Sequence, residues 1–171
     1  MRDYFLTTER LGFSIWKKED IELAISLWGD PEVTKHISAK GYFDRREIED
    51  RLTLEVANYE AYHVQYFPIF EISSGELVGC CGLRPCIGED SVFEIGLHLR
   101  KEYWGKGLGF EAALAIIDYA FEEKQVSMLR AGHNPENLAS RKMLEKLGFQ
   151  YEVDYYYEPT GLNHPSYVLK K

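Results

Sequence analysis

Three glycines, Gly105, Gly107 and Gly109, alternate with other residues between a predicted strand and an amphipathic stretch typical of a helix. Glycine lets the backbone turn sharply and approach a ligand with no Cβ in the way. The unpaired amides at the start of the helix carry about half a positive charge, and Lys106 adds a full one. The segment therefore predicts a cradle for a pyrophosphate group, built largely from backbone amides.

The spacing of these glycines excludes two common phosphate-binding motifs. A P-loop ends in Gly-Lys followed by Ser or Thr, and the chain has no such sequence at the required spacing. A dinucleotide-binding fingerprint needs its third glycine at position 110, where Phe110 stands. Taken alone, the remaining pattern is also compatible with a tight turn that binds nothing.

Two titratable side chains lie on one face of the strand predicted over Val92–Leu99, because alternate residues of a strand point to the same side. Glu94 is the first candidate for a general base, acting directly or through a water, and a solvated strand glutamate is the alternative. His98 is the second candidate, since an unperturbed imidazole pKa near about 6.5 suits proton transfer. A structural histidine is the more common role for such a residue.

Hydrophobic periodicity and turn residues predict the elements that position these side chains. Strands are expected at 11–16, 66–72, 77–83, 92–99, 126–131, 151–157 and 167–169. Helices are expected at 19–27, after Asp30-Pro31, after Asp44, after the glycines and at 137–147. The helix after the glycines is expected to bury Phe110, Ala113, Leu114, Ile117 and Phe121. This order predicts one α+β domain over residues 1–171, with a mixed, mostly antiparallel twisted sheet of six to seven strands flanked by helices.

The glycine segment and its surroundings resemble the coenzyme A motif of the GNAT acetyltransferases. The resemblance rests on Gly-Lys-Gly-Leu-Gly at 105–109, between a strand containing Glu94-Ile95-Gly96 and a helix that continues Glu111-Ala112. Within that superfamily the chain is most similar to the ribosomal-protein N-terminal acetyltransferase-like (Rim-type) branch. Matches to that branch follow in the family's order at 8–11, 30–33, 137–140 and 145–149.

The resemblance implies acetyl-coenzyme A as the cosubstrate, no metal, and a sheet that opens in a V beside a bulge in the strand at 92–99. Pantetheine would insert there and meet backbone amides around Leu97, His98 and Leu99. The pyrophosphate would rest on the glycine loop. The other residues expected at the cofactor are Trp104, Gly105, Lys106, Gly107, Leu108, Gly109, Phe110, Asn137 and Ser140.

The chain departs from the family pattern at two positions. Trp104 stands where Gln or Arg is usual, and we expect binding to persist because the cradle uses backbone amides. Leu144 stands where many relatives carry a tyrosine that protonates the leaving thiolate, and leucine has no proton to donate. In the Rim-type branch the serine of an Asn-x-x-Ser motif takes that role, which implies Ser140 here. The alternatives are a local hydrogen-bonding serine and, for Asn137, a helix cap.

The resemblance implies an enzyme in which an amine attacks the acetyl thioester directly. The leading acceptor is the α-amine of a protein or peptide. A small amine (polyamine, amino acid or aminoglycoside) is the alternative within the superfamily, and a non-catalytic acyl-coenzyme A sensor is the alternative from another class. The tyrosines at 155–157, with Tyr42, Phe43, Tyr59 and Tyr62, are candidates for an acceptor groove. Strand alternation is expected to place at least one tyrosine of the triplet in the core.

The net charge and the cysteines of the chain limit which partners, metal sites and disulfides are expected. A net charge of −8 disfavours binding to nucleic acid and to anionic membranes. Three cysteines crowded into 80–86 suit neither a disulfide framework nor a metal site, and reduced thiols in a cytoplasmic protein are expected. Formation of a homodimer is left open.

Overall fold

A computed structural model describes residues 2–171. One sheet of eight strands has the order β1-β2-β3-β4-β5-β6-β8-β7. The strands are β1 Leu6–Thr7, β2 Leu11–Phe13, β3 Tyr66–Glu71, β4 Leu77–Pro85, β5 Val92–Leu99, β6 Met128–Gly132, β7 Gln150–Tyr157 and β8 Leu162–Lys170. The predicted mixed, mostly antiparallel sheet is confirmed, with one strand more than expected because β1 pairs with β2 as a short hairpin.

Five α-helices flank the sheet: α1 Ile21–Trp28, α2 Pro31–Thr34, α3 Arg45–Tyr62, α4 Leu108–Asp118 and α5 Leu138–Lys146. The starts of α2, α3 and α5 follow the predicted caps Asp30, Asp44 and Asn137. The Asp30 carboxylate accepts a hydrogen bond from the Glu32 amide at 2.9 Å, and Asp44 and Glu47 cap each other's backbone amides at the start of α3. A π-helical turn, Tyr119–Glu123, extends α4.

Two apolar layers form the core, one on each face of the sheet. α4 packs on one face, while α1, α2 and α3 cover the other. The predicted buried face of α4 is partly wrong, since Leu114 is 41% exposed while Ala112 and Ile116 are fully buried. Ala113, Ile117 and Phe121 are buried as predicted, and the buried face extends from them to the stripe through positions 108, 112 and 116.

The sheet opens between β5 and β6. These strands pair in parallel only through Val92, Phe93 and Glu94, and beyond Glu94 the rest of β5 pairs with β4 alone. The expected V is therefore present. The expected bulge in β5 is absent from its ladder with β4, which runs without a register shift, so the opening comes from the divergence of β6.

The outer strand β7 corrects a further expectation. Every residue of β7 is exposed, including all three tyrosines of the triplet 155–157, because β7 pairs only with β8 at the edge of the sheet. The prediction that one of these tyrosines lies in the core is wrong. The cysteines are free thiols, with Cys80 and Cys81 buried and Cys86 half-buried.

Across residues 2–171, no helix has the length and apolar character to cross a membrane. The same residues contain no cluster of three or more His, Cys, Asp or Glu side chains arranged to hold a metal ion.

Candidate active site

A cavity with a volume of about 790 Å³ lies at the opening between β5 and β6. Its walls are the end of β5, the glycine loop, the start of α4, one face of α5 and the segment at 32–37. Every residue expected to contact coenzyme A lines this cavity except Lys106. Leu97 and Leu99 lie on the α4 face of β5 and His98 on the α3 face, so the cavity reaches both sides of the sheet.

The glycines of the loop serve different purposes. Gly105 and Gly107 have φ values of +72° and +77°, in the left-handed region that glycine adopts most easily. Gly107 is the N-cap of α4 and brings no side chain to bond the first amides of the helix. Gly109 lies within α4, where a Cβ would come within 3.1 Å of the side chains of Leu99 and Met143. The first two glycines shape the cradle, and the third allows close packing around it.

The loop is tied to the N-terminal hairpin by a contact that the sequence alone does not indicate. Arg10 donates from Nε to Glu111 Oε2 at 2.7 Å and from Nη1 to the carbonyl of Lys106 at 2.9 Å. The Thr8 hydroxyl donates to Glu111 Oε1 at 2.5 Å. Partial burial opposes ionisation of Glu111, but these hydrogen bonds outweigh it and lower the pKa of its carboxyl. Arg10 and Glu111 therefore hold the loop and the first turn of α4 in one arrangement.

Two side chains of the loop point to local partners. The indole Nε1 of Trp104 donates to the carbonyl of Leu99 at 3.0 Å, which fastens the loop to the end of β5. The Lys106 ammonium lies 5.2 Å from the centre of the Tyr103 ring, within the range of a cation–π contact. Lys106 adds charge near the cavity without lining it.

Helix α5 presents a hydroxyl to the cavity. Asn137 is the N-cap of α5, and its Oδ1 accepts from the Ser140 amide at 3.1 Å. Asn134 bonds the Glu136 amide in the turn before it, so the two asparagines cap successive turns. Ser140 is half-buried and lines the cavity, whereas Leu144 is buried in the core. Ser140 carries the only hydroxyl on α5.

The two candidate bases occupy different environments. Glu94 is exposed, does not line the cavity, and belongs to the last residue pair between β5 and β6, at the apex of the V. Its Oε1 accepts a hydrogen bond from the Tyr66 hydroxyl at 2.8 Å. For Glu94 to take a proton from a substrate amine, the amine must therefore extend beyond the cavity to the carboxylate, or a water must bridge the two.

His98 lines the cavity but is held as a neutral side chain. Burial, followed by the charges of Arg51 and Arg84, lowers its pKa well below the usual 6.5. Its Nδ1 accepts from the indole Nε1 of Trp28 at 3.1 Å, which assigns the ring proton to Nε2. Because Trp28 occupies the free lone pair, His98 is poorly placed to accept a proton.

Several residues that line the cavity are not among those predicted from the sequence. Lys142 and Lys146 are two of them, although their spacing of one helical turn does indicate that they share a face of α5. The Lys146 ammonium lies 4.0 Å from the centre of the Phe110 ring. The segment after α1 gives no such signal, because only tertiary folding brings it to the cavity; its lining residues are Glu32, Val33, Lys35, His36 and Ile37.

This arrangement fits an elongated anionic ligand. Amides at a helix start, a left-handed glycine turn and the lysines of α5 favour phosphate groups. The unpaired edge of β5 beyond Glu94 offers backbone donors and acceptors to an extended chain.

Comparison with known proteins agrees with this geometry. Residues 10–150 match the family model described as the acetyltransferase (GNAT) domain. An uncharacterized N-acetyltransferase, p20 of Bacillus licheniformis, is 33% identical over 147 residues, covering 86% of this chain and 83% of that protein. The [ribosomal protein uS5]-alanine N-acetyltransferase of Escherichia coli is 30% identical over 88 residues, covering 51% of this chain and 45% of that protein.

A crystal structure of a GNAT-family acetyltransferase from Bacillus anthracis superposes with a TM-score of 0.81 at 25% identity, covering 96% of this chain and 97% of that one. The family match spans the glycine loop, the open sheet and the start of β7. The chain belongs to the GNAT acetyltransferase family and is an acetyl-coenzyme A-dependent N-acetyltransferase.

Proposed function

We propose that the enzyme acetylates the α-amine of a protein or peptide, with coenzyme A bound along the cavity. The pyrophosphate would rest on the amides of residues 105–110, and the pantetheine would lie against the free edge of β5. The single observation that carries this placement is the cavity itself, which runs from the glycine loop through the opening of the sheet. Acetyl-coenzyme A supplies an acetyl thioester, which is open to attack by a neutral amine.

Glu94 and Ser140 are the residues proposed for proton transfer. Glu94 stands at the apex of the V and would take the proton of the attacking amine, directly or through a water. Ser140 lines the cavity from α5 and would assist the departing thiolate. A thiol with a pKa near about 8.5 leaves readily, so this assistance need only be modest.

The choice of an α-amine follows from its proton chemistry. An α-amino group has an unperturbed pKa of about 7.7–8.0, so roughly a tenth of it is neutral at pH 7. A lysine-like amine near about 10.4 is neutral only about once in a few thousand molecules. A general base contributes roughly 10²–10⁴-fold. One exposed carboxylate is adequate for the first acceptor and weak for the second, and the name of the Escherichia coli relative, which specifies an alanine of a ribosomal protein, supports this choice.

We expect Arg10→Ala to weaken coenzyme A binding more than Lys106→Ala does. Arg10 holds the loop through Glu111 and the Lys106 carbonyl, and loss of charged hydrogen bonds of this kind is expected to raise Kd roughly tenfold. Lys106 does not line the cavity, and its removal should cost about 1 kcal/mol of binding at most. Isothermal titration calorimetry measures both, with Arg45→Ala as the control because Arg45 forms an exposed ion pair on α3. A larger loss from Lys106→Ala would contradict a cradle held by the backbone.

The acceptor is tested by competition between amines. A peptide with a free N-terminus and no lysine should be acetylated faster than the same peptide with a blocked N-terminus and one added lysine, and faster than spermidine. Mass spectrometry of initial products at pH 7 measures all three rates. Preferred acetylation of spermidine would overturn the acceptor assignment and leave the acetyltransferase activity in place.

A further inference from the structure

Tyr66 occupies an unusual position beside the proposed base. It is 4% exposed on β3, and its hydroxyl donates to Glu94 Oε1 at 2.8 Å. The ring crosses β5 over Gly96, where a Cβ would lie 2.3 Å from Tyr66 Cζ. The absence of a side chain at Gly96 therefore gives the phenol its path to Glu94.

A partly buried ion pair holds both the ring and the backbone of Tyr66. The Arg84 guanidinium lies 4.1 Å from the centre of the Tyr66 ring, and it pairs with Glu55, which is fully buried on α3. Glu55 Oε2 accepts from the Tyr66 amide at 2.8 Å. The backbone and the ring of Tyr66 are thus both held by groups that solvent does not reach freely. This geometry is costly to assemble, since it buries charges that must be paired.

We propose that Tyr66 is a positioning residue that orients the Glu94 carboxylate for proton transfer. This inference rests on the proposed function, in which Glu94 is the base. The phenol binds Oε1 and leaves Oε2 to take the amine proton. Burial, and then the negative charge of Glu94, raises the pKa of Tyr66 well above 10, so the hydroxyl remains protonated and continues to donate.

Removing the hydroxyl of Tyr66 is expected to change how kcat/KM depends on pH, in a defined direction. Four groups face Glu94: Tyr66 on β3, Arg84 on the neighbouring strand β4, Arg130 on the neighbouring strand β6, and Cys86 just after the end of β4. Glu55 lies behind Arg84 and pairs with it. A hydrogen bond donated to a carboxylate stabilises its charged form. Without that bond the carboxylate loses a donor that stabilises its charged form, so the loss of kcat/KM should be greatest at the acidic end of the pH profile.

The test is a pH profile of Tyr66→Phe with an N-terminal peptide and acetyl-coenzyme A. We expect kcat to fall roughly tenfold, the effect of one charged hydrogen bond, and the acidic limb of kcat/KM to move upward. The ring and its packing remain, so the variant should fold. Tyr119→Phe is the matched control, because Tyr119 is a partly buried tyrosine packed on the other core layer and does not line the cavity. Its profile should match that of the wild type.

Two further variants separate the inference from the function on which it rests. Tyr66→Phe should add no further loss to Glu94→Gln, and it should add little to Glu94→Asp, in which the shorter side chain already withdraws the carboxylate from the phenol. Full activity of Glu94→Gln would overturn the base assignment itself. A slow Glu94→Gln together with an unmoved limb in Tyr66→Phe, or an equal loss in both backgrounds, would overturn the positioning role alone.

Discussion

Gly107→Val is expected to abolish measurable coenzyme A binding while leaving the fold in place. Gly107 has φ +77° at the N-cap of α4, and a β-branched residue is strained in that conformation by about 1–2 kcal/mol. Its Cβ would lie 3.5 Å from the Arg10 guanidinium, at the contact that holds the loop. The branched side chain would also occupy the cradle, because Gly107 lines the cavity.

Thermal unfolding measures this effect directly. Acetyl-coenzyme A should raise Tm of the wild-type protein, since a ligand that binds only the folded state stabilises it, and NAD should do so much less. Gly161→Val is the matched control, because Gly161 has φ +68° in the turn between β7 and β8, with no atom near its missing Cβ. That variant should carry similar strain and keep the full ligand shift. A normal shift in Gly107→Val would show that the loop does not hold the ligand.

Glu94→Gln and Ser140→Ala are each expected to lower kcat about ten- to a hundredfold on an α-amine substrate. Neither side chain is part of the amide cradle, so the Kd of acetyl-coenzyme A should change little. Glu94→Gln removes the proton acceptor and keeps the shape. Ser140→Ala removes the hydroxyl of α5 that lines the cavity.

Steady-state kinetics and calorimetry together measure these two effects. Glu123→Gln and Ser26→Ala are the controls, because both residues are exposed and neither lines the cavity. If both control variants react at the wild-type rate, the losses at positions 94 and 140 are specific to the site. Two fully active variants at positions 94 and 140 would remove both residues from the mechanism.

Local patterns predict those parts of the site that are built from neighbouring residues. The glycine loop and the N-cap Asn137 depend on contacts within a few positions of one another, and the alternation of residues along 92–99 indicates the strand that carries Glu94. The Arg10–Glu111 contact joins residues 101 positions apart, and the bond from Tyr66 to Glu94 spans 28 positions. Such pairs follow from strand order, which no spacing in the chain specifies.

The errors at Leu114 and in the tyrosine triplet share one physical origin. An apolar pattern indicates which residues can be buried, but the neighbouring elements decide which of them are covered. On α4 the face that packs on the sheet is centred on positions 112, 113, 116 and 117, and Leu114 lies outside it. On β7 the strand is an outer edge, so alternation along it selects no buried side.

The most direct test is the release of free coenzyme A from acetyl-coenzyme A, measured together with the mass of a peptide that has a free N-terminus. We expect one free thiol for each acetyl group found on the α-amine, with both products lost in Gly107→Val and formed more slowly in Glu94→Gln. A stabilising shift with acetyl-coenzyme A, but no thiol release with peptides, polyamines or amino acids, would contradict it and identify the protein as a binding module.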